Sequence, residues 1–381
     1  MSPDLLVFTI VVLLRLGVPL LIPRFPVPAI VFCLVIDAAD QTIFQQYTDL
    51  NLDSYQSYDK ALDIYYLTIA YLAVIRNWTD PFALRTAQFL WYYRLVGVLV
   101  FETTGARFVL LLFPNTFEYF FIAYEAVRMR WNPDRLRERQ VLAMAAFIWV
   151  FIKLPQEWWI HVAQNDFTDF MKEDVFGVSA DASWGSAIGE NLWFVVLMGV
   201  AAAGAVVAVR SVRPKLPPPD WGFTIDVDRT IDRVRVVAPP EPAWHPVLSW
   251  YMTEKVLLVS AVTAIFAMVI PNNEVSVLGV IGPVAFVILF NSFAGSFVNR
   301  RGHTAASIWA AAAFSWVVNL VAALVFIWLV RNADERINEF ALLFYVTLLT
   351  LIVALFDWFH RRGPAAALRR DADGQVTAAA A

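Results

Sequence analysis

The chain has 381 residues, 59% of them hydrophobic and only 16% charged, with a formal net charge of −4. A soluble domain carries about 25% charged residues, so this composition excludes an ordinary soluble globular protein, and the slight acidic balance excludes a nucleic-acid partner. The single cysteine, Cys33, excludes an intrachain disulfide.

In chain order, about eleven apolar runs have the length of a membrane-spanning helix, at roughly 4–22, 27–44, 58–75, 83–102, 106–128, 139–158, 190–210, 252–270, 275–298, 304–330 and 338–358. They predict an all-α fold, a polytopic α-helical integral membrane protein. The opening MSPDLLVFTIVVLLRLG lacks the basic start of a cleaved signal and reads as a retained first span. Residues 1–210 form an N-terminal bundle of about seven spans with a polar core. Residues 211–248 are a Pro-rich linker in which FTIDVD and RVRVV alternate like the strands of a small hairpin. Residues 249–360 form a four-helix C-terminal bundle, and 361–381 an Ala- and Arg-rich disordered tail.

Basic clusters set the orientation. Arg128, Arg130, Arg135, Arg137 and Arg139 make the strongest one, and Arg210, Arg300 with Arg301, and Arg361 with Arg362 add three more. An odd number of spans places all four on the cytoplasmic side, with the N-terminus outside and the C-terminus inside a plasma or inner membrane. The acidic stretches around 40–60 and 164–185 then face outward. Asn77-Trp78-Thr79 has the form of a glycosylation acceptor, but it falls in a cytoplasmic loop and is discounted.

The stretch Glu102–Arg128 organises this reading. Arg107, Pro114, Phe121 and Arg128 recur every seven residues, with Leu111, Glu118 and Glu125 beside them, so one helix face carries two acids and two bases. Ionisable groups at hydrocarbon depth must pair or face a wet cavity. Pro114 removes a backbone donor, and Asn115 with Glu118 has the Asn-x-x-Glu form of a helix start. These residues allow the helix to stop at Pro114 and restart at Asn115, as at transport sites, but an ordinary proline kink with its charges neutralised by neighbours is the leading reading.

Acids gather toward the outer side of the N-terminal bundle. Asp37, Asp40 and Gln41 share one face of the second span, and Asp59, Asp63 and Tyr66 share one face of the third. Glu102 ends the fourth span and Arg107 starts the fifth. Arg94 is expected to pair with Glu118. Lys153, Glu157 and His161 form one row of the sixth span, beside the kink-prone Pro155 and the interfacial pair Trp158 and Trp159. The accumulation predicts a polar cavity open to the outside; buried pairs that only fix helix register are the alternative. No cofactor is predicted. A divalent metal on Asp37, Asp40, Glu157 and His161 is the secondary reading, because a lone histidine in such a row more often serves as a hydrogen-bond partner.

The C-terminal spans carry few ionisable groups. Ser307, Ala311, Ser315 and Asn319 form a small-residue stripe beside Gly279, Gly282 and Gly295, which suits scaffold packing or a homo-oligomer contact. Membrane lipid is the other expected partner. No Walker loop, dinucleotide fingerprint or zinc-protease motif occurs, so no motif identifies a catalytic residue.

Three functions fit. The first is a transporter or ion-coupled permease for a small polar solute or ion, built on buried acids and a broken helix. The second is an enzyme acting on a lipid or lipid-linked substrate at the outer leaflet, with Asp37 and Asp40 as base and metal ligands, Arg107 as phosphate clamp, and Trp158 and Trp159 as platform. That arrangement is weakly similar to polyprenyl-phosphate-sugar-dependent glycosyltransferases in span number and early outward acids. It departs from them in placing the acids after the second span and in having no large outer domain after the last. The third is a structural or assembly subunit.

Overall fold

The computed structural model describes residues 3–48, 55–165, 167–230, 250–269, 316–317, 320–321 and 339–362. Every regular element among them is helical, as an all-α fold requires. Helix α1 (Pro3–Gly17) passes through a 3₁₀ turn (Val18–Leu21) into α2 (Pro26–Tyr47), whose first turn holds Pro26 and Pro28 where no backbone donor is needed. Helix α3 spans Tyr55–Asn77. Asp80 caps α4 (Pro81–Thr104) by accepting from the Phe82 amide at 2.9 Å, and Gly105 ends it in the left-handed region at φ 65°.

The next span is broken. Helix α5 (Phe108–Leu112) stops before Pro114, and α6 (Thr116–Arg128) starts afresh with Asn115 at its N-cap position. The break has a packing reason besides proline. Phe113 lies against Gly97 of α4, where an added Cβ would sit 2.1 Å from the Phe113 Cβ, so only glycine admits the bent chain.

Helices α7 (Glu138–Phe147) and α8 (Leu154–His161) are joined by a π-helical stretch (Ile148–Lys153) just before Pro155. Pro155 cannot donate to the ladder, which slips by one residue so that the Leu154 amide reaches Trp149 O. Short elements at Phe167–Phe170 (α9) and Trp184–Glu190 (α10) precede α11 (Leu192–Val212). Two further long helices are described, α12 (Trp250–Val269) and α13 (Glu339–Arg362).

The centre of the fold is α3, not the 102–128 stretch that the sequence pattern favoured. From Ala61 to Ile75 every α3 residue except Asp63 is buried. It packs against α1, α2, α4, α6, α12 and α13. Beyond Asp63 its middle, IYYLTIAYLAVI, is largely apolar on all sides, the pattern of a helix enclosed by others. The heptad row from Arg107 to Arg128 is not one face, because the break at 113–115 interrupts it; Arg107 is exposed, while Glu125 and Arg128 are buried in α6.

Helix α11 contrasts with α3. It is apolar all round and has no buried residue. Two helical segments among the described residues, Glu138–His161 and Leu192–Lys215, are long and apolar enough to cross a membrane.

The expected hairpin is corrected in its first half. FTIDVD (223–228) forms no strand but lies in a strap over 216–230 that is irregular up to 227 and helical at 228–230, and RVRVV lies outside the described residues. The strap is held by polar contacts rather than pairing. The Thr224 amide reaches Met129 O at 3.0 Å, the Val227 amide reaches Arg24 O at 3.0 Å, and Trp221 Nε1 donates to Arg128 O at 2.8 Å. Asn77, the discounted glycosylation residue, is buried and donates to Pro23 O at 3.0 Å. His245, His303 and the stripe at Gly279, Gly282, Gly295, Ser307, Ala311, Ser315 and Asn319 also lie outside the described residues.

Candidate functional site

Two linked polar clusters occupy the interior of the N-terminal helices. The first is built on Arg15 of α1, whose side chain is 4% exposed. Its four terminal N–H groups are divided among four aspartates. Nη1 donates to Asp40 of α2 and Asp59 of α3, and Nη2 donates to Asp37 of α2 and to Asp63 of α3, the last at 2.8 Å. The helical spacing predicted for Asp37 with Asp40 and for Asp59 with Asp63 holds, and antiparallel packing turns both faces onto one guanidinium.

Four carboxylates against one guanidinium leave an excess of three negative charges within this set. Asp40 is sealed beside Arg15, whereas Asp37, Asp59 and Asp63 are about a third exposed, with side-chain values of 29%, 36% and 37%. Those three each bring a carboxylate oxygen within 4.8 Å of the others, close enough to share a single cation. Hard oxygen donors of this kind suit Mg²⁺, Ca²⁺ or Mn²⁺, or protons.

The second cluster surrounds the helix break. Glu118, at the third position of α6, accepts from the Tyr66 hydroxyl at 2.7 Å and from Asn115 Nδ2 at 2.9 Å, with Lys153 Nζ at 3.7 Å. Asn115 thus holds the N-cap position, but its side chain binds the Glu118 carboxylate instead of a backbone amide. Its own amide is taken by Glu157 at 3.1 Å. Glu157 also pairs with His161 Nε2 at 3.0 Å and lies 3.9 Å from Arg94. The Lys153 ammonium sits 3.7 Å above the centre of the Tyr119 ring. Asn115 Oδ1 and the Thr116 hydroxyl are buried and have no hydrogen-bond partner among the described residues. Tyr66 follows Asp63 by one turn of α3 and so ties the two clusters together.

The expected pairing of Arg94 with Glu118 is corrected. Arg94 sits beside Glu157 and donates to Phe113 O at 3.0 Å, while Glu118 is taken by Lys153. The π-helical stretch is the reason, since the slipped register turns Lys153 into the core at 3% exposure.

Several predicted residues fall elsewhere. Glu102 pairs with Lys60 at the surface at 3.3 Å. Arg107 is exposed and makes no ion pair among the described residues, which leaves the phosphate-clamp role without geometric support. Glu125 accepts from Trp78 Nε1 at 2.6 Å beside Arg128, far along α6 from the break. Gln41 follows Asp40 on α2, in a helix whose described side chains do not include it. The converging acids are Asp37, Asp59 and Asp63, whereas Glu157 and His161, proposed above as metal partners of Asp37 and Asp40, belong to the second cluster.

Sequence reasoning passed over Arg15, though the signal was there: one arginine in an otherwise apolar run needs an acidic partner. Comparison of the chain with protein-family models, curated proteins and solved structures finds no match.

Proposed function

We propose that the chain is a multi-pass membrane transporter whose acid cluster binds a cation, either as the solute or as the ion coupled to it. The observation that carries this reading is the charge imbalance around Arg15. A structural ion pair needs one carboxylate, or two; among the described residues four carboxylates share one guanidinium, a set whose charge suits the uptake of protons or a metal cation. The half-open triad gives such an ion access, while the sealed Arg15–Asp40 pair gives it a fixed base.

The membrane setting is supported by the exposed apolar α11 and by the burial of charge inside the helices rather than on their outer faces. The proposed topology has the N-terminus and the 164–185 segment outside, and the 129–138 and 216–230 segments inside. The broken helix beside the cluster supplies two polar groups, Asn115 Oδ1 and the Thr116 hydroxyl, that have no partner among the described residues, as interrupted helices do at transport sites.

Thermal melts of the purified protein across pH, with and without Mg²⁺, Mn²⁺ or Ca²⁺, test the site. The wild-type melt is expected to shift with cation or pH, and Asp37→Asn and Asp63→Asn to remove the shift while still folding. Identical melts for all three proteins in every condition would overturn the proposal. Labelling of introduced cysteines at positions 135 and 175 in intact cells tests topology; outside accessibility of 135 would sink it.

A further inference from the structure

The two ends of α3 meet different surroundings. At its start, Asp59 and Asp63 belong to the acid triad, whose side chains are about a third exposed. At its end, about 20 Å along the axis from Asp63, Arg76 and Asn77 lie beside the 216–230 strap.

A polar seam between α3 and α6 joins these ends. The Tyr66 hydroxyl donates to Glu118, Trp78 Nε1 donates to Glu125 at 2.6 Å, and Arg128 Nη1 donates to Asn77 O at 2.8 Å. Glu118 and Glu125 stand two turns apart on one face of α6, and both are buried, as is Arg128. Between the two glutamates the rings of Phe121 and Tyr124 pack on Trp78 and fill the seam.

The strap roofs the far end of the seam. Two small clefts lie beneath it, and both reach Arg128 and Thr230. One is bounded by Pro26 of α2, Glu125 and Asp226, the other by Asn77 and Trp221. Asp226, Val227 and Thr230 of the strap are buried.

This roof is fastened by exchangeable contacts. Asp228 pairs with Arg76 and lies 3.8 Å from Arg24, Asp226 pairs with Arg24 at 3.0 Å, and Asp220 pairs with Arg135 at 2.5 Å. Arg24 and Arg135 are largely exposed, so water replaces their pairs at small cost. The amides of Thr224 and Val227 complete the fastening at Met129 O and Arg24 O.

We propose that the 216–230 strap is the inner gate of the transport route, and that the structure holds the transporter open at the acid triad and shut at the strap. This rests on the transporter reading above. Opening gives up the pairs of Arg24, Arg76 and Arg135 and lifts the strap from α2 and α6. Water then reaches Glu125 and Arg128, and a cation leaving the triad past Glu118 meets Glu125, the next acid on the same face, before release.

The test uses the full-length protein in lipid nanodiscs and liposomes. Thr230→Cys, in a Cys33→Ala background, is expected to react slowly with a water-soluble maleimide. The reaction is expected to be several-fold faster when Asp228→Asn removes the contacts with Arg24 and Arg76. Equal rates in the two proteins overturn the gate. Flux of Mn²⁺ and of H⁺ into liposomes is read with trapped dyes. Thr224 and Met129 are hydrogen-bonded through their backbones at 3.0 Å, so Thr224→Cys and Met129→Cys are within reach of a short reducible crosslinker. Crosslinking is expected to abolish flux, to leave the cation- or pH-dependent melting shift of the triad in place, and to be reversed by reduction. Flux that survives crosslinking overturns the gate. Loss of the melting shift together with flux also overturns it, because a gate closes the route without emptying the site. Absence of both fluxes in the wild type overturns the transporter reading, with the labelling rates still deciding whether the strap opens.

Discussion

The Tyr66 hydroxyl donates a 2.7 Å hydrogen bond to Glu118, joining the central helix that bears Asp59 and Asp63 to the restarted half of the broken helix. Tyr66→Phe removes one donor from a buried carboxylate and leaves the others, Asn115 and Lys153. Hydrogen bonds to charged groups contribute about 1.5–3 kcal/mol. The variant is expected to lower the melting temperature and to weaken the pH- or cation-dependent melting shift proposed for the acid cluster. Wild-type stability together with a wild-type shift would show that the bond links nothing.

Arg15 is expected to be the most sensitive single position. Arg15→Met leaves four carboxylates without their shared cation, and breaking a buried pair costs about 3–5 kcal/mol. Adding Asp40→Asn removes the most deeply buried of the stranded charges. Folded yield is therefore expected to order as wild type, then Arg15→Met with Asp40→Asn, then Arg15→Met alone. A single variant that melts like wild type would refute the cluster.

The contact between Gly97 and Phe113 sets the position of the helix break. Gly97→Ala places a methyl group where the Phe113 Cβ already lies, and overpacking of this kind costs about 1–3 kcal/mol. Adding Phe113→Gly removes the opposing Cβ. Thermal melts are expected to show relief of the clash relative to the double-mutant sum; strict additivity would place the strain elsewhere.

Helix α11 distinguishes a lipid-facing surface from a water-facing one. Val200 is 63% exposed in the middle of the helix. On a soluble surface Val200→Arg is tolerated, whereas an arginine at the centre of a membrane helix costs about 2.5–3.5 kcal/mol on insertion scales. The inserted fraction, read with engineered glycosylation sites flanking α11, is expected to fall. No change would argue against α11 as a span.

The strap over 216–230 carries an acid-sensitive latch. Asp226 accepts from Arg24 at 3.0 Å, and this hydrogen bond holds its carboxyl below the ordinary carboxylate range. A lowered folded-state value means that the contribution is fully present above the unfolded value of about 3.9 and is lost as pH falls through the lower folded value. Limited proteolysis is expected to cut the strap faster in acid than at neutral pH. In Asp226→Asn the strap should be cut faster than wild type at neutral pH, with the acid-dependent step reduced. An unchanged pH profile in that variant would assign the latch to another group.

Much of the local structure was legible from the chain alone. Leaving aside the runs at 275–298 and 304–330, which lie almost wholly outside the described residues, and 106–128, which is two helices, the apolar run lengths gave helices with boundaries close to those observed, because a helix of hydrophobic residues is specified by its own side chains. Asp37 with Asp40 and Asp59 with Asp63 could be placed on shared faces because i, i+3 and i+4 spacing is local geometry. Pro114 marked an interruption for the same reason, since a missing donor acts within one turn, whereas the choice of a full break over a kink needed Phe113 against Gly97.

The partners were decided only by tertiary packing. Arg15 of α1 gathers four aspartates from two other helices, α2 and α3, and no spacing along the chain reports which antiparallel faces meet. Lys153 displaced Arg94 as the partner of Glu118 because a π-helical slip before Pro155 rotated it inward. Glu254 and His360 stand more than a hundred residues apart and meet because α12 and α13 close on the apolar middle of α3. Helical periodicity fixes the direction a side chain leaves its own axis; the packing of helix against helix fixes what it meets there, and at this interior that choice sets the charge balance.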